Sequence, residues 1–199
     1  MEKDLSRLQQ QVKAQLRNQM DALRQALPHT ARKARSETAC QRLSALNSYQ
    51  HANSIALYMA FNAELELGML LETCLQGPQT LYLPRLDPST HTISLHAVPS
   101  LQALIPSRFG ILEPPATSPT IAPQALEVIV IPALAADPRG YRIGYGQGHY
   151  DRLLPQMPQA LKICVLYDFQ LIAEVPNEPH DQRVDVVVTD QRMVEPVTP

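Results

Sequence analysis

Short apolar segments of strand length recur along this chain and alternate with segments of helical periodicity. The apolar segments with the fewest polar interruptions lie at residues 54–60, 127–131, 161–167 and 184–188. Before them, residues 5–26 place leucine, valine or methionine every three or four positions, which is typical of an amphipathic helix. Strands of a parallel sheet are apolar along most of their length, because both of their faces are buried. The sequence therefore predicts an α/β fold, a three-layer α/β/α domain with a mostly parallel sheet.

Weaker signals complete the predicted order of elements. They indicate a helix that Thr30 caps and that reaches about Leu46, a helix at residues 66–75, and strands at residues 80–83 and 92–98. Seven of the eighteen prolines lie between Pro106 and Pro138, so this region is predicted to be mostly loop. A chain of 199 residues is long enough for one well-buried domain. We therefore predict a single domain over residues 1–199, with residues 1–50 as a helical arm packed on it.

The composition argues against several classes of protein. No apolar run approaches the length of a membrane-spanning helix, and the charged N-terminus lacks the apolar region of a signal peptide. Cys40, Cys74 and Cys164 are too few and too widely spaced for a disulfide framework or a CxxC metal site. We expect them to be buried as small apolar residues, which fits the reducing cytoplasm. The expected protein is a cytoplasmic monomer without a membrane partner.

Positive charge is concentrated near the N-terminus. The first 42 residues hold nine Lys and Arg against four Asp and Glu, whereas the rest of the chain holds eight against fifteen. A basic helix of this kind is able to contact nucleic acid. However, the segment has no interleaved aromatic residues and no zinc-binding pattern. The default interpretation is a helix face that is simply solvated. A more specific interpretation is that one or two of these cations reach a bound phosphate. Nucleic acid is not an expected partner.

A loop rich in glycine lies between residues 142 and 152, which read RIGYGQGHYDR. It holds Gly144, Gly146 and Gly148, three of the seven glycines in the chain. Alternate glycines allow positive φ angles and let backbone N–H groups converge on an anion. Arg142 at the start and Asp151 after the loop add a guanidinium and a carboxylate. The simpler alternative is a tight connection from strand to helix, with Asp151 as the helix N-cap.

Two common nucleotide-binding motifs do not fit this loop. The dinucleotide fingerprint needs a third glycine five positions after the first, where this chain has His149 or Asp151. A P-loop ends in glycine and lysine followed by serine or threonine, whereas Gly148 precedes histidine and tyrosine. The pattern therefore predicts an anion-binding loop of another kind.

The loop and several further segments resemble the 5-formyltetrahydrofolate cyclo-ligase family, whose members are also called methenyltetrahydrofolate synthetases. Residues 140–152 are similar to the family signature, which reads approximately G-x-R-L-G-x-G-x-G-Y-Y-D. The other segments, in matching order and spacing, are Lys13 with Arg17, residues 61–66, residues 83–85, residues 110–114 and residues 175–189. The resemblance spans most of the chain and implies the same α/β layered domain.

The resemblance also implies an ATP- and Mg²⁺-dependent ligase that converts 5-formyltetrahydrofolate into 5,10-methenyltetrahydrofolate and releases ADP and phosphate. The implied ATP-binding residues are Lys13, Arg17, Arg142, Ile143, Gly144, Tyr145, Gly146, Gln147, Gly148, His149 and Tyr150. The implied folate-binding residues are Met59, Glu64, Tyr145, Gly146, Gln147, Gly148 and His149. Arg142 and Tyr150 are the implied catalytic residues, and Asp151 and Asp181 would hold the Mg²⁺. The implied partners are therefore small molecules.

Most of these implied roles have a structural alternative. Lys13 and Arg17 lie four residues apart on one helix face, where such pairs are usually only solvated. Arg142 is also suited to an ion pair with a nearby acid such as Asp137. Glu64 is also suited to an exposed position at the start of a helix, where the helix dipole favours an acid.

The last segment and the glycine-rich loop each raise a further question. Asp181 follows Pro179 closely and suits a turn. His180 is a poor Mg²⁺ ligand, and we expect it either to be structural or to support a residue that holds the metal. Within the loop the chain departs from the family pattern at Gln147 and at His149, which stands in place of a tyrosine. These departures motivate an alternative function, a nucleotide- or folate-binding regulator without turnover on the same fold.

Overall fold

The computed structural model describes residues 2–108 and 110–196, with side chains from Arg7 onward. Its helices are α1 (Glu2–Ala26), α2 (His29–Ser44), α3 (Asn47–Gln50), α4 (Gly68–Gln76) and α5 (His149–Leu153). Its strands are β1 (Ser54–Ala56), β2 (Thr80–Asp87), β3 (Thr92–Ala97), β4 (Ile105–Pro106), β5 (Leu112–Glu113), β6 (Val128–Pro132), β7 (Ala135–Ala136), β8 (Arg142–Ile143), β9 (Leu161–Val165), β10 (Val186–Val188) and β11 (Met193–Val194). Short 3₁₀ turns lie at Leu101–Ala103, Pro123–Ala125, Leu154–Gln156 and Asp168–Gln170.

One large sheet organises the fold. In the described part of the chain, seven strands form this sheet in the order β11-β10-β9-β6-β1-β2-β3. The inner strands from β10 to β2 run parallel, and the edge strands β11 and β3 run antiparallel to their neighbours. Parallel neighbours need crossover connections, which contain α4 between β1 and β2 and α5 between β6 and β9. The predicted mostly parallel sheet is confirmed.

Both faces of this sheet are buried, which makes the fold three-layered. Along β6, Val128 and Val130 belong to one apolar core, whereas Ile129 and Ile131 belong to the opposite one. The first core also contains apolar side chains of α2 and α4. The second core contains those of α5 and of the 3₁₀ turn that follows it. The predicted α/β/α layering is confirmed.

The first predicted strand is shorter in the structure than its apolar run. It ends at Ala56, and the chain then turns out of the sheet, with positive φ angles at Asn62 and Ala63. Residues 57 and 58 are nevertheless buried. The N–H of Leu57 still donates to the carbonyl oxygen of Tyr82 at 3.0 Å, so only beyond this residue does apolarity indicate burial rather than strand pairing.

Strand β2 is longer than predicted, because it continues past residue 83 to Asp87. Its pairing with β1 stops at Tyr82, and beyond that point it pairs with β3 alone. Pro84 fits such a stretch, since proline is tolerated where a strand has a partner on only one side.

The helix starts also differ from the prediction by a few residues. Helix α2 begins at His29 with Pro28 at the cap position, so Thr30 lies inside the helix and does not cap it. Helix α4 begins at Gly68, after the predicted start at residue 66. Proline is favoured at a helix start because its fixed φ angle matches the helix and its missing N–H has no partner there.

Two predictions from the composition can be compared with the structure. Cys40, Cys74 and Cys164 are buried free thiols, as predicted. Among the helices of residues 2–108 and 110–196, none combines the length and the apolar character that crossing a membrane requires.

Helix α1 lies beside the hairpin that leads into the glycine-rich loop. Its Met20 packs with Leu134, Ala135 and Ile143 in a small apolar core that is separate from the two cores on the sheet. Strands β7 and β8 pair antiparallel, and the loop begins directly after β8 at Gly144. This packing brings the N-terminal helix next to the loop.

Candidate active site

A cavity of about 510 Å³ lies between α1, the glycine-rich loop and the segment before β10. The predicted site residues that line it are Lys13, Arg17, Glu64, Arg142, Ile143, Gly144, Tyr145, Gly146, Gln147, Gly148, His149, Tyr150, Asp151 and Asp181. Met59 is not among the lining residues, since it is partly buried against the core that α2 and α4 share. The structure thus brings the predicted ATP, folate and metal residues together at one cavity, apart from Met59, whose role stays a prediction.

The glycine-rich loop connects β8 to α5 and needs glycine at two positions. Gly146 has a φ of 88° and Gly148 a φ of 65°, which is the left-handed region that favours glycine. A Cβ atom on Gly146 would lie 3.2 Å from Cζ of Arg17, so a side chain there would also crowd α1. A Cβ atom added to Gly144 would have no other atom within 4 Å, so the space next to this residue is open. The loop is therefore held close to α1 on one side and is open on the other.

Arg17 and Lys13 connect α1 to different parts of the site. Nε of Arg17 donates to the carbonyl oxygen of Gly144 at 2.9 Å. Nζ of Lys13 donates to Oδ2 of Asp181 at 2.6 Å and to Oε2 of Glu178 at 3.0 Å. Lys13 is only 7% exposed, so the solvated-face interpretation of this pair does not hold for it.

Arg142 and Asp151 form a second ion pair at the cavity. Nη2 of Arg142 donates to Oδ1 of Asp151 at 2.9 Å, and Nη1 donates to the carbonyl oxygen of Gln182 at 2.5 Å. The backbone N–H of Gln182 donates to the same Asp151 oxygen at 3.2 Å. Arg142 is 9% exposed, so this guanidinium is nearly fully buried between α5 and the segment before β10.

The ion-pair alternative for Arg142 is confirmed with Asp151 as the acid instead of Asp137, whereas the N-cap alternative for Asp151 is wrong. Asp137 does not pair with Arg142, because its carboxylate accepts from Nη2 of Arg139 at 2.7 Å and from several backbone N–H groups. Asp151 is not the N-cap of α5, because Gly148 holds that position and Asp151 lies in the first turn of the helix. Asp181 does lie in a turn, because its Oδ2 accepts the N–H of Glu178 at 2.8 Å. The same oxygen also accepts from Lys13, so the turn and the contact with the cation occur together.

The two ion pairs join the predicted phosphate-binding cations to the predicted metal-binding carboxylates. Lys13 is paired with Asp181, and Arg142 with Asp151. Leaving a buried cation without an anionic partner costs roughly several kcal/mol. Lys13 keeps Glu178 as a partner when Asp181 turns to a metal, whereas Arg142 needs a substitute anion for Asp151. A complex of a divalent cation with a triphosphate supplies the metal and that anion together.

The carboxylates at this cavity suit Mg²⁺. Within residues 2–108 and 110–196, no group of three or more His, Cys, Asp and Glu side chains is arranged to hold a metal. Mg²⁺ does not require one, because it is usually held by one or two carboxylates, by water and by substrate phosphates. Asp151 and Asp181 provide two carboxylates beside cations that are able to hold the phosphates.

Glu64 is a buried acid rather than an exposed one at a helix start. It lies four residues before α4 and is 6% exposed. The turn through Asn62 and Ala63 folds its side chain back, so that Oε2 accepts the N–H of Phe61 at 3.0 Å. Burial raises the pKa of Glu64 to about 7, and the hydrogen bond from Phe61 and the charge of Arg24 partly offset this effect. Glu64 therefore changes its charge near neutral pH.

Tyr150 and His149 begin α5 and face different surroundings. Burial raises the pKa of the Tyr150 hydroxyl, so this group stays neutral and acts as a hydrogen-bonding group at physiological pH. Nδ1 of His149 lies 3.1 Å from the carbonyl oxygen of His91, at the tip of the β2–β3 hairpin. Burial lowers the pKa of His149, which keeps the ring neutral. His149, which stands in place of the family's tyrosine, thus connects the glycine-rich loop to the β2–β3 hairpin.

The structure also adds residues that the sequence argument did not assign to the site. These further lining residues are Gln10, Ile93, Pro132, Ala133, Leu134, Glu178 and His180. Gln10 lies one helical turn before Lys13, so the periodicity of α1 contains a signal for it. His180 is exposed, and its Nε2 lies 3.7 Å from Oδ1 of Asp181, which fits a structural role. Ile93 comes from the antiparallel edge of the sheet, and no local pattern indicates its place.

Known proteins share both the sequence pattern and the fold described above. The model of the 5-formyltetrahydrofolate cyclo-ligase family matches residues 9–190. A Mycolicibacterium smegmatis protein named 5-formyltetrahydrofolate cyclo-ligase is 31% identical over 191 residues, which cover 90% of this chain and 94% of that protein. The Escherichia coli protein of the same name is 28% identical over 177 residues, or 86% of this chain and 97% of that protein.

A solved structure agrees with these relatives. The NMR structure of Aquifex aeolicus 5,10-methenyltetrahydrofolate synthetase superposes with a TM-score of 0.84 at 32% identity and covers 94% of each chain. The matched region of the family model contains both ion pairs, the glycine-rich loop and Glu64. The chain therefore belongs to the 5-formyltetrahydrofolate cyclo-ligase family.

Proposed function

We propose that this protein is an ATP-dependent ligase that converts 5-formyltetrahydrofolate into 5,10-methenyltetrahydrofolate and releases ADP and phosphate. Membership of the family supports the reaction. The observation that carries the proposal for this chain is the convergence of Lys13, Arg142, two aspartates and the glycine-rich loop on one cavity. Phosphoryl transfer depends on positioning and charge neutralisation, and these residues supply both.

The proposed chemistry makes a poor leaving group into a good one. An N-formyl oxygen is not easily displaced, so its phosphorylation by ATP forms an O–P bond and releases ADP. The nitrogen N10 of the folate then attacks the activated carbon and closes the ring. The C–O bond breaks as phosphate leaves, and the proton of N10 passes to the departing phosphate or to water. The protein must therefore hold the formyl oxygen close to the terminal phosphate and keep water out.

The residues of the cavity divide between these tasks. Lys13, Arg17 and Arg142 would bind the phosphates, together with N–H groups of the loop. Mg²⁺ held by Asp151 and Asp181 would supply charge neutralisation on the transferring group. Glu64 would accept two N–H donors from the pterin ring.

The first experiment is an absorbance assay for the methenyl product with 5-formyltetrahydrofolate, ATP and Mg²⁺, omitting each component in turn. We expect product only when all three are present. Product that forms equally well without ATP would contradict the ligase reaction.

The alternative is a regulator that binds nucleotide or folate without turnover, and the departures at Gln147 and His149 motivate it. Calorimetry that detects binding of either ligand, together with no product after long incubation, would favour this function. The position of His149 supports the enzyme instead, because its contact with the His91 carbonyl oxygen holds the changed side chain at the cavity, in the predicted ligand-binding set.

Glu64 provides a prediction about stability and pH. Its folded pKa of about 7 lies above the ordinary value of 4.5, so between these pH values the folded protein binds a proton that the unfolded chain releases. The free energy of unfolding therefore falls as pH rises through this window, by roughly 3 kcal/mol. Glu64→Gln is expected to remove this fall, so the variant gains stability relative to wild type between pH 4.5 and pH 7.

Urea unfolding of the ligand-free protein at pH 5 and at pH 8 measures this effect. Glu72→Gln is the matched control, since Glu72 is an exposed acid on α4. The same Glu64 variant is expected to bind 5-formyltetrahydrofolate more weakly at pH 8, because a neutral amide cannot accept two N–H donors as well as a carboxylate. A pH-independent difference in stability between wild type and Glu64→Gln would contradict the assignment of the pKa.

We also propose that the chain works as a single domain and as a cytoplasmic monomer, with small molecules as its only partners. Internal contacts of the N-terminal cations support the exclusion of nucleic acid. The cations that hydrogen-bond or ion-pair within the protein are Lys13, Arg17, Arg24, Arg32, Arg35 and Arg42.

A further inference from the structure

Arg24 is a buried cation on α1 that the reaction as described above does not use. Its side chain is 1% exposed, which is unusual for arginine. Arg24 follows Lys13 and Arg17 on α1, at spacings that place all three on one face of the helix. It does not itself line the cavity, so it lies behind the residues that do.

The guanidinium of Arg24 holds the tyrosine of the glycine-rich loop. Its Nη2 donates to the hydroxyl oxygen of Tyr145 at 2.7 Å and to Oδ1 of Asp21 at 3.0 Å. Cζ of Arg24 lies 5.9 Å from the centre of the Tyr145 ring. Tyr145 stands between Gly144 and Gly146, lines the cavity and is 45% exposed. One end of this tyrosine is thus fixed to α1, while the ring is free to contact a ligand.

The same guanidinium is an electrostatic neighbour of Glu64. The positive charge of Arg24 opposes the effect of burial on the Glu64 carboxyl and favours its ionised form. Arg24 therefore acts on Glu64, which we assign to folate alone, and on Tyr145, which we assign to folate and also to the ATP loop. Lys13 and Arg142, which we assign to the phosphates, have their own carboxylate partners and do not depend on it.

The arrangement is costly for stability. Within the described residues, Nε of Arg24 is buried and has no hydrogen-bond partner. An unsatisfied buried donor costs about 1–3 kcal/mol. An apolar side chain at this position would avoid that cost, so the arginine is better explained by what it holds than by stability.

We propose that Arg24 is a positioning residue that holds Tyr145 in place for the folate and thereby sets affinity for the folate rather than for ATP. The inference rests on the proposed function. It predicts that Arg24→Ala raises KM for 5-formyltetrahydrofolate by roughly tenfold, the worth of one charge-assisted hydrogen bond. KM for ATP and kcat are expected to change by less than about twofold.

Three further variants separate positioning from a loss of structure. Tyr145→Phe keeps the ring, removes the hydroxyl and is expected to raise the same KM. Combining it with Arg24→Ala is expected to add little, because both changes break one interaction. Arg24→Lys keeps one charged donor and is expected to restore part of the affinity. Arg7→Ala removes an exposed cation from the same helix and is expected to leave both KM values unchanged.

Binding of 5-formyltetrahydrofolate measured by calorimetry without ATP distinguishes failure of this proposal from failure of the function. A wild-type protein that binds no folate and forms no product would overturn the proposed function. Normal wild-type turnover, with KM for folate unchanged in both Arg24→Ala and Tyr145→Phe, would overturn the role of Arg24. An equal rise of KM for 5-formyltetrahydrofolate and KM for ATP would also overturn the role of Arg24. If Arg24→Ala fails to fold in a thermal melt, Tyr145→Phe alone decides the outcome.

Discussion

Arg142→Ala is expected to lower kcat/KM at least about a thousandfold, the usual scale for an arginine that stabilises a transferring phosphoryl group. The structure supports an effect of this size because the guanidinium is nearly fully buried and is held by Asp151 and by the Gln182 carbonyl. A side chain fixed in this way is already oriented for phosphate, so little ordering is needed when ATP binds. Steady-state kinetics in the methenyl assay measure the loss.

Two variants keep the Arg142 result interpretable. Arg142→Lys retains the charge but loses the bidentate geometry of the guanidinium. We therefore expect a folded protein with a smaller loss of kcat/KM than in Arg142→Ala. Arg192→Ala breaks another arginine–aspartate pair, with Asp168 at 2.8 Å, away from the cavity. It is expected to leave kcat/KM within about twofold of wild type, as surface substitutions usually do. Wild-type turnover by a folded Arg142→Ala enzyme would remove this residue from the phosphate-binding set.

Asp151→Asn is expected to abolish turnover and to uncouple ATP binding from Mg²⁺. Under the proposed function, Mg²⁺ and the phosphates would together replace Asp181 and Asp151 as partners of Lys13 and Arg142, so we expect Mg²⁺ to raise ATP affinity. The asparagine keeps the size of the side chain and can still accept a hydrogen bond from Arg142. It lacks the negative charge that Mg²⁺ requires of a ligand.

Calorimetric titration of ATP with and without Mg²⁺ measures this coupling directly. Asp185→Asn is the matched control, because Asp185 is a half-exposed acid that contacts Lys162 outside the cavity. It is expected to keep both turnover and the Mg²⁺ effect. Turnover at the wild-type rate by a folded Asp151→Asn enzyme would contradict the metal assignment.

The sequence predicts the part of the site that lies in continuous segments. Alternate glycines at 144, 146 and 148 indicate a loop that approaches an anion, and two of them adopt the positive φ angles that this requires. The spacing of Lys13 and Arg17 indicates a shared helix face, and both side chains do reach the cavity. The burial of β6 on both of its faces likewise follows from its continuous apolar run.

The parts that the sequence does not predict depend on contacts between distant segments. Nothing local to Arg24 indicates that it is buried against Tyr145, which lies 121 residues later. The burial of Glu64 depends on a turn with two positive φ angles at non-glycine residues, and no turn motif marks it. The side chain of Met59 packs partly against a core, so the role that the resemblance gives to the backbone near it stays a prediction.

The ion pair between Lys13 and Asp181 joins residues that are 168 positions apart, so it closes nearly the whole chain into a loop. Closing so long a loop costs chain entropy, so we expect this contact to form late in folding. We therefore expect the cavity to be absent from partly folded states in which the sheet has already formed. A ligand that binds both Lys13 and Asp181 therefore stabilises the native state, and we expect it to slow global unfolding.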